Sequence, residues 1–118
     1  MAGRDKTLEH FSQHLQDGET IAADVFGTYE GKILGKDALR NGILVATNQR
    51  VVFYTKKLFG YEMETFYYNR ISSIQGEKNF FGWFVTIVTT GNTASLKWIK
   101  AGETGVFVDY VNKKISNQ

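Results

Sequence analysis

Residues 42–55 read Gly42-Ile43-Leu44-Val45-Ala46-Thr47-Asn48-Gln49-Arg50-Val51-Val52-Phe53-Tyr54-Thr55. Two apolar runs meet at the polar dipeptide Asn48-Gln49, and Asn tolerates the positive φ that a two-residue hairpin turn requires. The turn fixes the register. Ala46 opposes Val51 and Leu44 opposes Phe53 on one face; Val45 opposes Val52 and Ile43 opposes Tyr54 on the other. Both faces are apolar. An antiparallel hairpin with one wet side would alternate apolar with polar, so this one is covered on both sides. The expected cover of the outer face is the N-terminal helix or a second subunit.

Working outward, residues 5–16 place Leu8, Phe11 and Leu15 at i, i+3 and i+7, one apolar helical stripe. Asp5 or Thr7 would cap its start and Gly18 its end. Residues 19–29 predict a strand with Ile21, Ala23 and Val25 on one face and a bend at Gly27. Residues 30–41 predict a long loop, or a loop around a short strand at 32–34. A turn pivoting on Gly60 leads to strands at 62–68 and 71–75. Residues 76–82 predict a turn, 83–90 a strand, and Gly91-Asn92 a hairpin turn into 93–99. From Ala101 the period changes. Val106, Phe107, Tyr110, Val111 and Ile115 recur at helical spacing, with Glu103 at the start and Lys113 and Lys114 in the last turn, as the helix dipole favours. About seven short strands closed by a C-terminal helix predict a mainly β barrel or sandwich with α+β character.

The bulk composition excludes several classes. A length of 118 residues suits one domain. Charged residues make up 22% and aromatics 14%, with 9 Phe and 6 Tyr, which favours strands over disorder. There is no cysteine, so disulfides, thiolate zinc sites and cysteine nucleophiles are excluded. The first twenty residues carry Arg4, Asp5, Lys6, Glu9 and Asp17 without an apolar run, so no secretory signal is expected. The net charge of +2 is dispersed, and no nucleic-acid partner is expected.

The hairpin resembles the Gly-x-Leu-x-x-Thr-Asn-x-Arg segment, followed by two apolar residues and Phe, of bacterial PH domains and GRAM domains. The likeness continues through Lys57-Leu58-Phe59-Gly60, Tyr68-Asn69-Arg70-Ile71-Ser72-Ser73-Ile74, the Phe81-Gly82 turn and the apolar positions Val85 and Ile87. Asp17-Gly18-Glu19-Thr20-Ile21 is similar to the family's leading segment. The resemblance spans residues 15–115 and is nearest to the YokE-like bacterial PH group. It implies a pleckstrin-homology-like barrel of two near-orthogonal sheets with a C-terminal helix at one end, preceded here by an extra N-terminal helix: residues 1–17 as that helix and 18–118 as the PH-like domain. It implies no enzymatic activity, no cofactor and no shared ligand. The expected location is the cytoplasm, with the inner face of the membrane as the alternative.

Six groups of residues are candidate sites. The outer hairpin face (Ile43, Val45, Val52, Tyr54) and the aromatic turn (Phe81 and Trp83, within Phe80-Phe81-Gly82-Trp83-Phe84) form the expected surface for a protein partner or a homo-oligomer. Lys32, Lys36 and Arg40 in the first loop, with Lys56, Lys57 and Phe59 at the next tip, form the alternative surface for anionic lipid headgroups. Leu58 and Phe59 are expected to fold back over the barrel mouth. His10 and His14 at i, i+4 have no third metal ligand, and no nucleophile accompanies either, so neither a metal site nor a catalytic residue is expected. Gly27, Gly31 and Gly35 precede a strand rather than a helix, so turn geometry explains them better than a phosphate cradle.

Overall fold

The computed structural model describes residues 3–118. A helix α1 (Arg4–Ser12) precedes seven strands: β1 (Ile21–Ile33), β2 (Lys36–Thr47), β3 (Arg50–Lys56), β4 (Tyr61–Tyr67), β5 (Ile71–Asn79), β6 (Gly82–Thr89) and β7 (Asn92–Gly102). A one-turn 3-10 helix, Tyr68–Arg70, links β4 to β5, and α2 (Thr104–Ser116) ends the chain. All strands are antiparallel neighbours in the order β4-β3-β2-β1-β7-β6-β5. The sheet curls so that one face encloses a single core. Phe53 of β3, Ile74 of β5, Leu96 of β7 and Phe107 and Val111 of α2 belong to the same buried cluster. The expected PH-like barrel is therefore present, but its hydrogen-bonded ladder is not closed. β4 and β5 are its two edges.

The central hairpin has the expected register, with Ile43, Leu44, Val45 and Ala46 facing Tyr54, Phe53, Val52 and Val51. Leu44, Ala46, Val51 and Phe53 enter the barrel core, where the Phe53 ring stacks on Tyr29 with centroids 4.2 Å apart. The glycine of the motif has a steric reason. A Cβ at Gly42 would meet the Phe53 ring at 2.7 Å and the Tyr54 carbonyl oxygen at 2.5 Å. Ile43, Val45, Val52 and Tyr54 form a second cluster on the outer face, closed by Phe11 with Leu8 and Leu15. The helix α1, one of the two expected covers, therefore occupies that face.

Several boundaries differ from expectation. The helix α1 stops at Ser12 rather than at 16, and Gly18 lies in a later turn. Its N-cap position is Gly3, without a side-chain cap; Thr7 instead donates its hydroxyl back to the Gly3 carbonyl. Residues 1 and 2, counted in the expected N-terminal helical segment, lie outside the described residues. The expected loop at 30–41 is a long hairpin. β1 runs to Ile33, β2 starts at Lys36, and Leu34-Gly35 turns the chain with φ of 50° and 81°. A leucine in the left-handed region is uncommon, so the turn lacks the usual Asn-Gly or Asp-Gly signature. Ile21 and Ala23 do not share a face. A bulge between them turns Ile21 toward α1 while Ala23 packs on the barrel core. β5 extends to Asn79 and its turn is Phe80-Phe81. The next turn is Thr90-Gly91, one residue earlier than expected. β7 continues to Gly102 through Trp98, at φ 49°. In α2, Phe107 and Val111 are buried and Tyr110 and Ile115 half-buried on the core; Val106 points to solvent.

Candidate functional site

The signature turn 47–50 is a clasp. Just before β1, Glu19 extends its carboxylate beneath Arg50. The guanidinium donates from Nε to Oε2 at 2.8 Å and from Nη2 to Oε1 at 3.0 Å. The Thr47 hydroxyl donates to Oε2 at 2.6 Å, and the Gln16 amide to Oε1 at 2.9 Å. The two side chains are 4% and 0% exposed. Burial pushes the Glu19 carboxyl up, but the hydrogen bonds from Arg50, Thr47 and Gln16, with the charge of Arg50, outweigh it and hold the group below its ordinary value. Arg50 also donates to the His14 carbonyl. Asn48 takes the Thr20 amide on its side-chain oxygen and donates its side-chain amide to the Gly18 carbonyl, while Gln49 donates to the Asp17 carbonyl. Beneath the turn, the Tyr68 hydroxyl donates to the Thr47 carbonyl at 2.5 Å, and burial raises that phenol's pKa. The side chains of Thr47, Asn48, Gln49 and Arg50 are thus each hydrogen-bonded to the chain itself. Glu19 escaped the sequence reading. The available signal was Arg50, a cation bounded by apolar strands, which needs a buried acid.

The far end of α1 is tied as well. Arg4 donates two hydrogen bonds of 2.7 Å to the buried Asp24 carboxylate. The pairing raises the Arg4 pKa, first through the Asp24 hydrogen bond and then through that from Asp5. With both ends anchored and Phe11 fully buried between them, Ile43, Val45, Val52 and Tyr54 are inside the chain. The expectation that these four present a partner surface is corrected by this burial.

Of the basic candidates, Lys36 and Arg40 line one cleft of about 680 Å³, shared with the carboxylates of Asp37 and Glu62; Lys56 and Lys57 do not line it. Lys32 ends β1 and pairs with Asp37; Arg40 lies within β2 and pairs with Glu62 at 2.8 Å. Lys56 donates to the Lys57 and Gly60 carbonyls and so braces the tip it sits on. Among the described residues the Lys36 and Lys57 ammonium groups are the cations of this set without a side-chain partner. The Leu58-Phe59 tip does not fold back over the mouth; each residue is 88% exposed.

The aromatic turn is different. Phe80 is 96% and Phe81 71% exposed, and their rings meet edge to face at 5.5 Å. Trp83 follows on β6, about half exposed. The partly exposed Trp98 sits on β7 at the position that would face Trp83 if the ladder of Val85 with Leu96 ran two residues further.

His10 and His14 do not share a helix face, because α1 ends between them. The His14 ring lies on Tyr61 at 4.3 Å and near Tyr54 at 5.3 Å. No group of three His, Cys, Asp or Glu side chains that would hold a metal occurs among the described residues. Gly27 and Gly31 lie within β1, and Gly35 is the turn glycine. No helix among the described residues is long and apolar enough to cross a membrane.

The chain is similar to the Vps36 N-terminal PH domain, at 12% identity and a TM-score of 0.63, over 87% of this chain and 83% of that one. It is similar to the C-terminal domain of a protein from Leishmania infantum, at 18% identity and a TM-score of 0.55, over 97% and 94%. A DUF1696 family protein with a pleckstrin-homology domain from Shewanella loihica aligns at 15% identity and a TM-score of 0.49, over 98% and 92%. No curated protein matches the chain. PH domains mediate protein or lipid interactions in general. The bacterial PH domain pattern matches residues 15–113, and with the barrel, the C-terminal helix and the Thr-Asn-x-Arg clasp in place, the chain belongs to the bacterial PH domain family.

Proposed function

We propose that the chain is a noncatalytic interaction module that contacts a protein, a second copy of itself or another chain, through the Phe80-Phe81 turn and Trp83. The observation that carries this reading is the outward placement of two adjacent phenylalanines on a tight turn that no other described residue covers. Large aromatics are favoured anchors in protein interfaces, and removing them from water is the main gain on association. Glu77 and Lys78 flank the turn with opposite charges, so an anionic membrane gains little from it. The test replaces Phe80 with a photo-reactive benzophenone analogue in cells and compares it with the same label at exposed Lys113 on α2. A protein adduct from position 80 and none from 113, lost when Phe81→Ser is added, supports the proposal. Lipid adducts, or none at all, contradict it.

A second reading rests on Leu58 and Phe59, two outward apolar residues beside the unpaired Lys57. Apolar insertion with adjacent positive charge suits an anionic bilayer, although one short tip binds weakly. Co-sedimentation with vesicles containing anionic lipid, at low and high salt, tests it. Salt-sensitive binding lost in Phe59→Ser supports membrane contact, and absence of binding at low salt removes it.

A further inference from the structure

We propose that the free edge of β4 is a strand-addition site for an extended peptide carrying an acidic residue. The two edges of the sheet are treated differently by the fold. β5 carries a bulge between Ile71 and Ser73, and α2 packs against it. β4 pairs with β3 from Tyr61 to Tyr67 without a register shift and has no strand on its other side. In an antiparallel ladder every second residue directs its N–H and C=O away from the paired neighbour. β4 thus offers a row of backbone donors and acceptors in strand geometry. Proteins normally block such an edge with proline, a bulge or charged side chains, lysine above all. Tyr61-Glu62-Met63-Glu64-Thr65-Phe66-Tyr67 has no proline, lysine or bulge. The two charges of β4 are drawn off it, Glu62 by Arg40 and Glu64 by the Leu34 amide.

The space beside the edge suits the occupant. A cleft of about 500 Å³ borders β4 at residues 64–67 and is walled opposite by the Thr90-Gly91 turn. An added strand lies about 4.8 Å from its neighbour, and residues 64–67 of β4 line the cleft. The charges at the cleft select the peptide. Lys32 is paired with Asp37, and Glu64 accepts the Leu34 amide. Arg70, just past the end of β4, is exposed and has no partner among the described residues. The unengaged charge is therefore a guanidinium, which pairs best with a carboxylate. A second copy of β4 is the poorer occupant, because it brings Arg70 no unengaged carboxylate: its Glu62 is held by Arg40 and its Glu64 by the Leu34 amide.

This site is separate from the aromatic turn, which lies about 24 Å away along β6. Its success or failure is read independently. The probe is a phage-displayed library of random linear peptides selected against the full chain, followed by titration of synthetic hits into isotope-labelled protein. We expect acidic residues to be enriched in the hits, hydrogen exchange to slow within 61–67, and binding to disappear when alternate peptide amides are N-methylated. Arg70→Glu, a surface change that leaves the fold intact by circular dichroism, weakens binding about tenfold or more and shifts selection toward basic peptides. Hits without acidic enrichment, protection at 80–83 instead of 61–67, indifference to N-methylation, or no hit above background would each overturn the proposal.

Discussion

Two turns of this chain behave in opposite ways. Asn48-Gln49 carries the polar, family-specific residues, and at the surface its side chains fold back onto the segment before β1. Phe80-Phe81 carries apolar residues, yet its rings point into solvent. Hydrogen-bonding groups are turned onto the chain itself and aromatic surface is left open to solvent. The difference separates what holds the fold from what meets a partner. A recognisable motif marks the first role, and an exposed departure from ordinary burial marks the second.

Breaking the clasp gives the largest expected effect. Arg50→Ala leaves the Glu19 carboxylate buried without its counter-charge, and stability falls by about 3–5 kcal/mol, measured by the urea midpoint. Phe107→Ala, which empties the contact of α2 with the barrel core, costs about 3–5 kcal/mol by the same measurement. Phe11→Ala costs a similar amount, and it does so by loosening α1 from the outer hairpin face. An unchanged midpoint would mean that α1 adds nothing to the fold.

Acid sharpens the comparison. The folded pKa of Glu19 lies below its ordinary 4.5, so the carboxylate contributes stability that is complete above that value and is lost as pH falls through the lower, folded value. Stability of the wild type therefore drops on acidification below 4.5. In Glu19→Gln that part of the pH slope disappears, and an unaltered slope would contradict the clasp. The smallest effect belongs to the other turn. Phe81→Ser changes stability by no more than about 0.5 kcal/mol, because the ring is already in water, while partner contact is lost. A large destabilisation would show that the turn is structural.

The central hairpin was legible because a two-residue turn and four apolar pairs leave a single register. The need for a cover on its outer face followed from the same pairs, and α1 is the cover. What the sequence concealed is the partner across distance. Glu19 and Arg50 are separated by 31 positions and Arg4 and Asp24 by 20, and no local pattern links either pair. The hairpin at Leu34-Gly35 was hidden for another reason. A leucine at positive φ is a poor turn residue on its own, and it is held there by the strands on either side. Hence Lys32, Lys36 and Arg40 read as a basic loop, although the strands set two of them beside Asp37 and Glu62.

Native-state hydrogen exchange followed residue by residue tests the account most directly. Amides of 43–46 and 51–54 should exchange only through global unfolding, sealed by α1 on one face and the barrel core on the other, while Phe80 and Phe81 exchange among the fastest. Rapid exchange of the hairpin through a local opening that releases α1, with the aromatic turn protected, would contradict it.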